Sequence, residues 1–242
     1  MDPIEVAARA AWAHKEAACA AAGDTDIPPH LLPWRAGSPV AAIICPQVDK
    51  QQALTAAALA VPGFGADAIA VTVDAHVTAT PVNPATGRVW APGEMQRACD
   101  QEGACSAGLL AACLATLLVR ADHTVELWQR KYRVDKTTGA VHWLDPADRR
   151  REHAMTSLTG LVPDTLRDCF DHPTVWDGEV TAAAAAAGLT DAHARALVDC
   201  ATAAAVAAAV PGAQVLLAPE SAEAAAIAEW CASPAGPPRA GR

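Results

Sequence analysis

Alanine supplies 61 of the 242 residues of this chain, and that share limits what the chain can fold into. Alanine has the highest helix propensity of all residues, while burial of its single methyl group contributes little free energy. A chain of this kind forms helices easily and has to pack them closely to gain stability from its core. We therefore expect the Ala-rich helices to act as scaffold. Specific activity should depend on segments where alanine gives way to larger or polar side chains.

The composition indicates a soluble, cytoplasmic protein with a mildly acidic surface. Apolar residues make up 52% of the chain, and the net charge is −9. An acidic surface argues against binding to nucleic acid or to an anionic membrane, because both are bound through clusters of Lys and Arg. The first residues lack the positive charge of a signal peptide, and no apolar run reaches the ~20 residues that span a bilayer. We therefore expect neither nucleic acid nor membrane as a partner.

The first 148 residues predict an α+β core. Asp2, Pro3 and Glu5 form a helix start whose helix should end near Ala22, and residues 49–61 predict a second helix. Runs of alternating or continuous apolar residues predict strands separated by turn residues. The predicted strands are Val40–Cys45, Ala66–Thr78, the second half of Leu109–Val119, Val125–Val134 and Ala140–Leu144. The last three should form an antiparallel meander.

Two irregular features are expected in this core. Residues 24–39 hold four prolines, so we predict an irregular connector there. In the strand Val125–Val134 the apolar alternation slips between Leu127 and Trp128, which indicates a β-bulge.

Residues 149–232 predict an Ala-rich helical region, either packed on the core or forming a second lobe. Its predicted helices are Pro146–Thr159, Pro163–Phe170, Asp177–Ala187, Asp191–Val210 and Pro219–Ala232. Residues 233–242 lack an apolar anchor and predict a disordered tail. The whole chain is thus predicted as an α+β fold: a small mixed sheet with a C-terminal antiparallel meander and flanking helices, followed by the Ala-rich helical region.

The best candidate for a chemical site is the pair Asp74 and His76 at the end of the strand Ala66–Thr78. Residues two apart in a strand point to the same face, so a carboxylate and an imidazole come together. The long connection that follows contains Glu94, and long loops on a rigid sheet often carry function. Asp74, His76 and Glu94 are therefore the candidate catalytic and metal-binding residues, since such a set can bind a divalent metal and activate water. The alternative is a plain hydrogen bond between His76 and Asp74 at a strand edge.

In part, this arrangement is similar to metal-dependent peptidases of the MPN (JAMM) type, which also place a His-bearing motif after a core strand. The chain departs from that family at the motif itself. It has no His-x-His, because position 74 is Asp, and no Ser-x-x-Asp motif follows. We therefore assign the chain to no family.

The chain lacks the glycine-rich motifs that bind nucleotides, and we predict that it uses no cofactor. The leading hypothesis is a non-enzymatic binding or accessory protein, and a metal-assisted hydrolase is the alternative. A nucleic-acid binder is a third hypothesis, disfavoured by the acidic balance; it would use Arg130, Lys131, Arg133 and Arg149–Arg151. The helix Asp191–Val210 either packs within the fold or offers a surface to a partner protein or a second copy.

Overall fold

The computed structural model describes residues 2–46, 50–78, 82–83, 86–89, 94, 110–152, 161–172, 174 and 178–218. The helices are α1 (Pro3–Ala22), α2 (Lys50–Phe64), α3 (Leu161–Asp168), α4 (Gly178–Ala186) and α5 (Asp191–Ala209). The strands are β1 (His30–Arg35), β2 (Ser38–Pro39), β3 (Ala41–Ile44), β4 (Ala68–Thr78), β5 (Val82–Asn83), β6 (Arg88–Val89), β7 (Leu110–Arg120), β8 (Val125–Val134), β9 (Val141–Glu152) and β10 (Gln214–Leu217). The combination of helices with an open sheet confirms the α+β class.

Eight strands form one sheet in the order β10–β3–β1–β4–β7–β8–β9, and β2 pairs with β1 beside this path. Every pairing in the described part of this sheet is antiparallel. The meander β7–β8–β9 is therefore confirmed, but the small mixed sheet is wrong. The reason is β1, which lies between β3 and β4 and is antiparallel to both. Without it, β3 and β4 would have been parallel neighbours joined by α2, which is the usual parallel connection.

Strand β1 lies inside residues 24–39, where an irregular connector was expected. Proline is rare in central strands because it has no N–H to donate. The carbonyl oxygen of Pro33 accepts a hydrogen bond from the N–H of Val40, on the side where the pairing passes from β3 to β2. The missing N–H of Pro33 points to this same side. The proline therefore removes no hydrogen bond to β4.

Strand β9 runs on to Glu152, so the helix predicted for Pro146–Thr159 is wrong over the residues described. The register with β8 shifts at Arg130, so that residues 145–147 lie opposite this one residue. A bulge of this kind takes residues out of the hydrogen-bonded ladder, and proline is tolerated there. The Asp145-Pro146 pair, which is typical of a helix start, here occupies a bulge.

The bulge predicted between Leu127 and Trp128 is wrong as well, because β8 pairs with β7 without interruption from Val125 to Tyr132. The alternation of apolar and polar residues along β8 is interrupted at Leu127 and Trp128 for another reason. Leu127 packs with the cluster on one face of the sheet, and Trp128 packs with the clusters on the other. Both faces are covered by helices, so both residues are apolar. Strand β7 also spans Leu110–Arg120 in full, not only its second half.

Helices cover both faces of the sheet. Helix α1 packs on one, called the α1 face, and Ile4, Ala8 and Trp12 are buried there as their spacing predicts. Gly23 follows α1 with a φ of 80°, a conformation that glycine adopts without strain. Helices α2 and α3 pack on the opposite face, called the α2 face, while α5 packs on α2 and beside β10.

Strand β10 was not predicted, and it pairs with β3 at one edge of the sheet. The division of the chain into 1–148 and 149–232 stays a prediction. The predicted helix Pro219–Ala232 and the predicted tail 233–242 lie outside the described residues. Among the helices that the structure does describe, none combines the length and apolarity needed to cross a membrane.

Candidate functional site

A buried polar cluster lies between α1 and the sheet. Lys15 on α1 donates from Nζ to Asp74 Oδ2 on β4 over 2.8 Å, and Tyr132 on β8 donates from its hydroxyl to Asp74 Oδ1 over 2.6 Å. The side chain of Lys15 is fully buried, and that of Asp74 is 3% exposed. The Lys15 ammonium also donates to the carbonyl oxygen of Thr25 and lies 4.5 Å from the centre of the Tyr132 ring. Both charges of the pair are therefore compensated inside the protein.

The hydrogen bonds occupy both carboxylate oxygens of Asp74. The backbone N–H of Ile27 adds a third donor, 3.3 Å from Oδ2. Burial and the neighbouring Asp74 raise the pKa of Tyr132 far above its usual range, so the phenol keeps its proton and stays a donor. Breaking a buried ion pair by removing one partner typically destabilises a protein by about 3–5 kcal/mol. The cluster thus joins α1, β4 and β8 into one unit.

Two stacked histidines lie on the same face. His14 Nδ1 is 2.8 Å from His30 Nε2, and the two rings are 4.8 Å apart and 10° from parallel. His30 is 1% exposed; its burial, and next the charge of His14, lower its pKa to about 3. Burial also lowers the pKa of His14. One ring has to accept, so at least one of the two imidazoles is neutral, which fits the lowered pKa of His30.

Aromatic side chains enclose Arg130. Its guanidinium carbon lies 4.8 Å from the ring centre of Trp12 and 4.9 Å from that of Trp143. Trp143 donates from Nε1 to Glu16 Oε1 over 2.5 Å, which ties β9 to α1. Cation–π contacts of this kind contribute about 0.5–2 kcal/mol each. Arg130 is therefore part of the packing under α1.

This placement divides the basic residues that were considered for nucleic-acid binding. Arg130 lies on the α1 face, whereas its strand neighbours Lys131 and Arg133 point to the other face, because side chains alternate along a strand. The side chains of Arg149–Arg151 lie outside the described residues. Over the part that is described, these residues do not form one basic surface.

The structure describes the side chains of two of the predicted metal ligands, Asp74 and Glu94, and gives them different partners. Asp74 binds Lys15 and Tyr132, and Glu94 accepts a hydrogen bond from Asn83 Nδ2 over 2.9 Å. His76 lies on β4 opposite Ala112, and its side chain is outside the described residues. Among the residues described, no three His, Cys, Asp or Glu are grouped to hold a metal ion.

The metal-assisted hydrolase stays a prediction. It requires Asp74 to release the Lys15 ammonium before it can bind a metal. Metal analysis of the wild type and of His76→Ala tests this hypothesis, since about one bound equivalent that is lost in the variant would support it and metal-free wild type would not.

Sequence reasoning missed Lys15 and Tyr132, although the first left a signal. Lys15 follows Trp12 by three residues, so it falls on the apolar stripe of α1 that contacts the sheet. A lysine there requires a buried acid, and Asp74 is one of three acids inside the predicted strands. The participation of Tyr132 depends on the β7–β8 register, for which no sequence signal existed.

A second surface lies on the opposite side of the sheet, where α5 packs on α2. A groove of about 290 Å³ runs between the two helices, lined mainly by Leu59, Val198, Ala201 and Ala205. Beside the groove, Leu197 is 59% exposed. We call the groove and the exposed residues next to it the α5 surface; the exposed residues are Leu197, Cys200, Ala201, Ala204, Ala205 and Ala208.

Two contacts fix the position of α5. Arg35 on β1 forms a two-pronged ion pair with Asp199, with both N–O distances 3.0 Å, and donates to the carbonyl oxygen of Phe64 over 2.7 Å. Gly63 on α2 lies directly against Thr202, so closely that a side chain at position 63 would overlap it. The small residues let the two helices approach, and the ion pair sets which side of α5 faces outward.

From Ala196 to Ala209, the outward side of α5 carries no charge. Every exposed residue in this stretch is Ala, Leu or Cys. Asp199 is the one charged residue of this stretch, and it turns inward toward Arg35. A surface helix ordinarily shows polar residues opposite its buried stripe. The α5 surface is therefore apolar on a side that nothing in the described chain covers.

No known protein family, curated protein or solved structure matches this chain. A function therefore has to be inferred from the surfaces and the chemistry of the chain itself.

Proposed function

We propose that this chain is a non-enzymatic accessory protein that binds another polypeptide through the α5 surface. The observation that carries the proposal is the apolar, uncharged outer side of α5 next to an open groove. Protein interfaces are depleted of charge at their centre, and an apolar side chain that fills a partner's pocket supplies most of the binding free energy. Leu197 and the groove provide these two parts.

The shape of the surface favours a helix as the bound element. Alanine side chains let a second helix approach to a short interaxial distance, and a groove between two helices accepts the side chains of a third. Leu59 and Val198 line the groove walls, and Leu197 stands beside it. A partner helix with apolar residues at positions i, i+3 and i+4 fits this groove and the exposed Leu197 beside it.

The polar cluster on the α1 face also supports this proposal. Asp74, the candidate for chemistry on this face, is bound by Lys15 and Tyr132. Buried and hydrogen-bonded, this cluster stabilises the fold and presents no open position for a substrate. The α5 surface, by contrast, is open to solvent.

Photo-crosslinking from position 197 tests the proposal. A benzophenone amino acid replaces Leu197 in the full chain, and the matched control carries it at Val89, which is 74% exposed on β6. We expect discrete products between position 197 and a second polypeptide, absent from the control and lost when Ala204→Glu is added. Products that are the same from both positions, or that survive Ala204→Glu, would overturn it.

A further inference from the structure

We propose that the polypeptide bound by the α5 surface is a second copy of this chain, so that two α5 helices pack antiparallel about a two-fold axis. This inference rests on the proposed function. It follows from a knob and a hole on one surface: Leu197 stands out of α5, and the groove opens beside Ala201 and Ala205. A surface that carries both can be complementary to itself, as an isologous interface must be.

The spacing along α5 fits this symmetry. With the two-fold axis at Ala201, position 197 of one copy lies opposite position 205 of the other, because the two numbers are equally far from 201. Each Leu197 then enters the groove at the partner's Ala205, and the two Ala201 residues meet at the axis. Positions 197, 201, 204 and 208 share one side of a helix with 3.6 residues per turn. Alanine at the crossing point lets the helices approach closely.

The charge distribution of α5 allows a copy of the same chain to bind at this place. Each chain carries a net charge of −9, so two copies repel each other at most relative orientations. An isologous interface places each residue near its own equivalent, so any charge near the axis would meet a like charge. The exposed residues of α5 from Ala196 to Ala209 are uncharged, which makes this a surface where two copies meet without that penalty.

The surface area that two copies can bury along α5 limits the expected affinity of the dimer. The 19 residues of α5 give a face about 28 Å long and about 10 Å across, so two copies bury roughly 600 Å² along the helices alone. Stable interfaces bury about 1,200–2,000 Å². This area lies below that range, so we expect a weak, reversible dimer that forms only at high protein concentration.

Sedimentation velocity on the full chain from about 5 to about 500 µM tests this expectation. The wild type should shift from monomer to dimer, and Leu197→Glu should stay monomeric, with its Kd raised at least about tenfold because a carboxylate then enters an apolar groove. The matched control is Val89→Glu, which makes the same kind of change on an exposed apolar residue away from α5. A wild type that remains monomeric at the highest concentration, or a Leu197→Glu variant that still dimerises, would overturn the proposal.

Disulfide trapping provides a second measurement that does not depend on a weak equilibrium. In a Cys200→Ser background, Ala201→Cys should form a cross-linked dimer faster than Ala196→Cys, because both are exposed on α5 but only position 201 lies on the axis. Equal rates would contradict the geometry.

The two proposals fail in different ways. A monomeric protein that still cross-links another polypeptide from position 197 would remove the self-association and keep the accessory function. A cross-link from position 197 to residues 219–242 of the same molecule would overturn both, since the chain would then cover its own surface.

Discussion

On the α1 face, a single helix covers the sheet with large and charged side chains, among them Trp12 and the pair Lys15–Asp74. On the α2 face, the α5 layer is built from alanine and turns an uncharged side outward. In the first region Lys15 and Tyr132 both bind Asp74, which makes the packing there specific. The second region gains closeness of approach but leaves apolar surface uncovered. The comparison indicates that the first region fixes the fold and that the second is available for binding.

The largest expected effect comes from breaking the buried pair. Asp74→Asn leaves the Lys15 ammonium buried without its counter-charge, and we expect the free energy of unfolding to fall by about 3–5 kcal/mol. Urea denaturation measures it. The control is Asp26→Asn: this carboxylate lies 3.9 Å from Lys15 but is 57% exposed, so its loss should cost less than about 1 kcal/mol. Equal losses in the two variants would contradict a dominant role of the buried pair.

The stacked histidines predict a loss of stability in acid. The pKa of His30 is about 3 in the folded protein, below its ordinary value, so between pH 6.5 and pH 3 the unfolded chain binds the extra proton. Stability from this residue is complete above pH 6.5 and declines as the pH falls, by about 3 kcal/mol between pH 7 and pH 4. Urea denaturation at several pH values in this range measures the free energy of unfolding. We expect this free energy to change less steeply with pH in His30→Gln than in the wild type. The matched control is His142→Gln, at an exposed position of β9, and an unchanged pH dependence of stability in His30→Gln would refute the assignment.

A third variant addresses the α2 face. Gly63→Ala places a methyl group against Thr202 at the crossing of α2 and α5, and we expect a loss of about 1–3 kcal/mol from overpacking. Adding Thr202→Ala makes room and should restore most of that loss, as thermal or urea denaturation would show. If the double variant is no more stable than Gly63→Ala, the contact is not the cause.

The smallest effect is expected on the α5 surface itself. Ala204→Glu changes an exposed position that contributes little to the monomer, so its stability at low micromolar concentration should stay within about 0.5 kcal/mol of the wild type. Denaturation under conditions where the chain is monomeric measures this. A larger loss would mean that position 204 is part of the core, and the contrast between the two regions would weaken.

Elements with strong local signals could be predicted from the sequence. Helix α1 has a capped start, a stripe of apolar residues and a terminal glycine, and strand β4 alternates Val71 and Val73 with polar residues. Such features depend on neighbours in the chain. Strand β1 could not be found in this way. Pro33 is permitted in this central strand because it lies at the gap where one side of β1 changes its partner from β3 to β2. Position in the sheet, which no local pattern encodes, decided that case.

The candidate site shows the same limit. The sequence singled out Asp74, and the structure finds this carboxylate at the centre of a cluster. The partners are Lys15 and Tyr132, which are 59 and 58 residues away from it. His76 was predicted with it because the two share one face of the strand, and Glu94 because it lies in the long connection that follows. The alanine content indicated that helix α5 was a place for close approach, but only the packing on α2 shows which of its sides remains open.

Strand β10 also has a consequence for the order of events during synthesis. It pairs with β3, whose four residues are all apolar and buried, and an open edge of that kind is a site for aggregation. The ribosome adds about 170 further residues after β3 before β10 is complete, which takes roughly 10–30 s at ordinary translation rates. Through that interval the edge of β3 has no partner in the sheet. The segment that closes the edge is thus made long after β3, and the nascent chain has to remain soluble until it arrives.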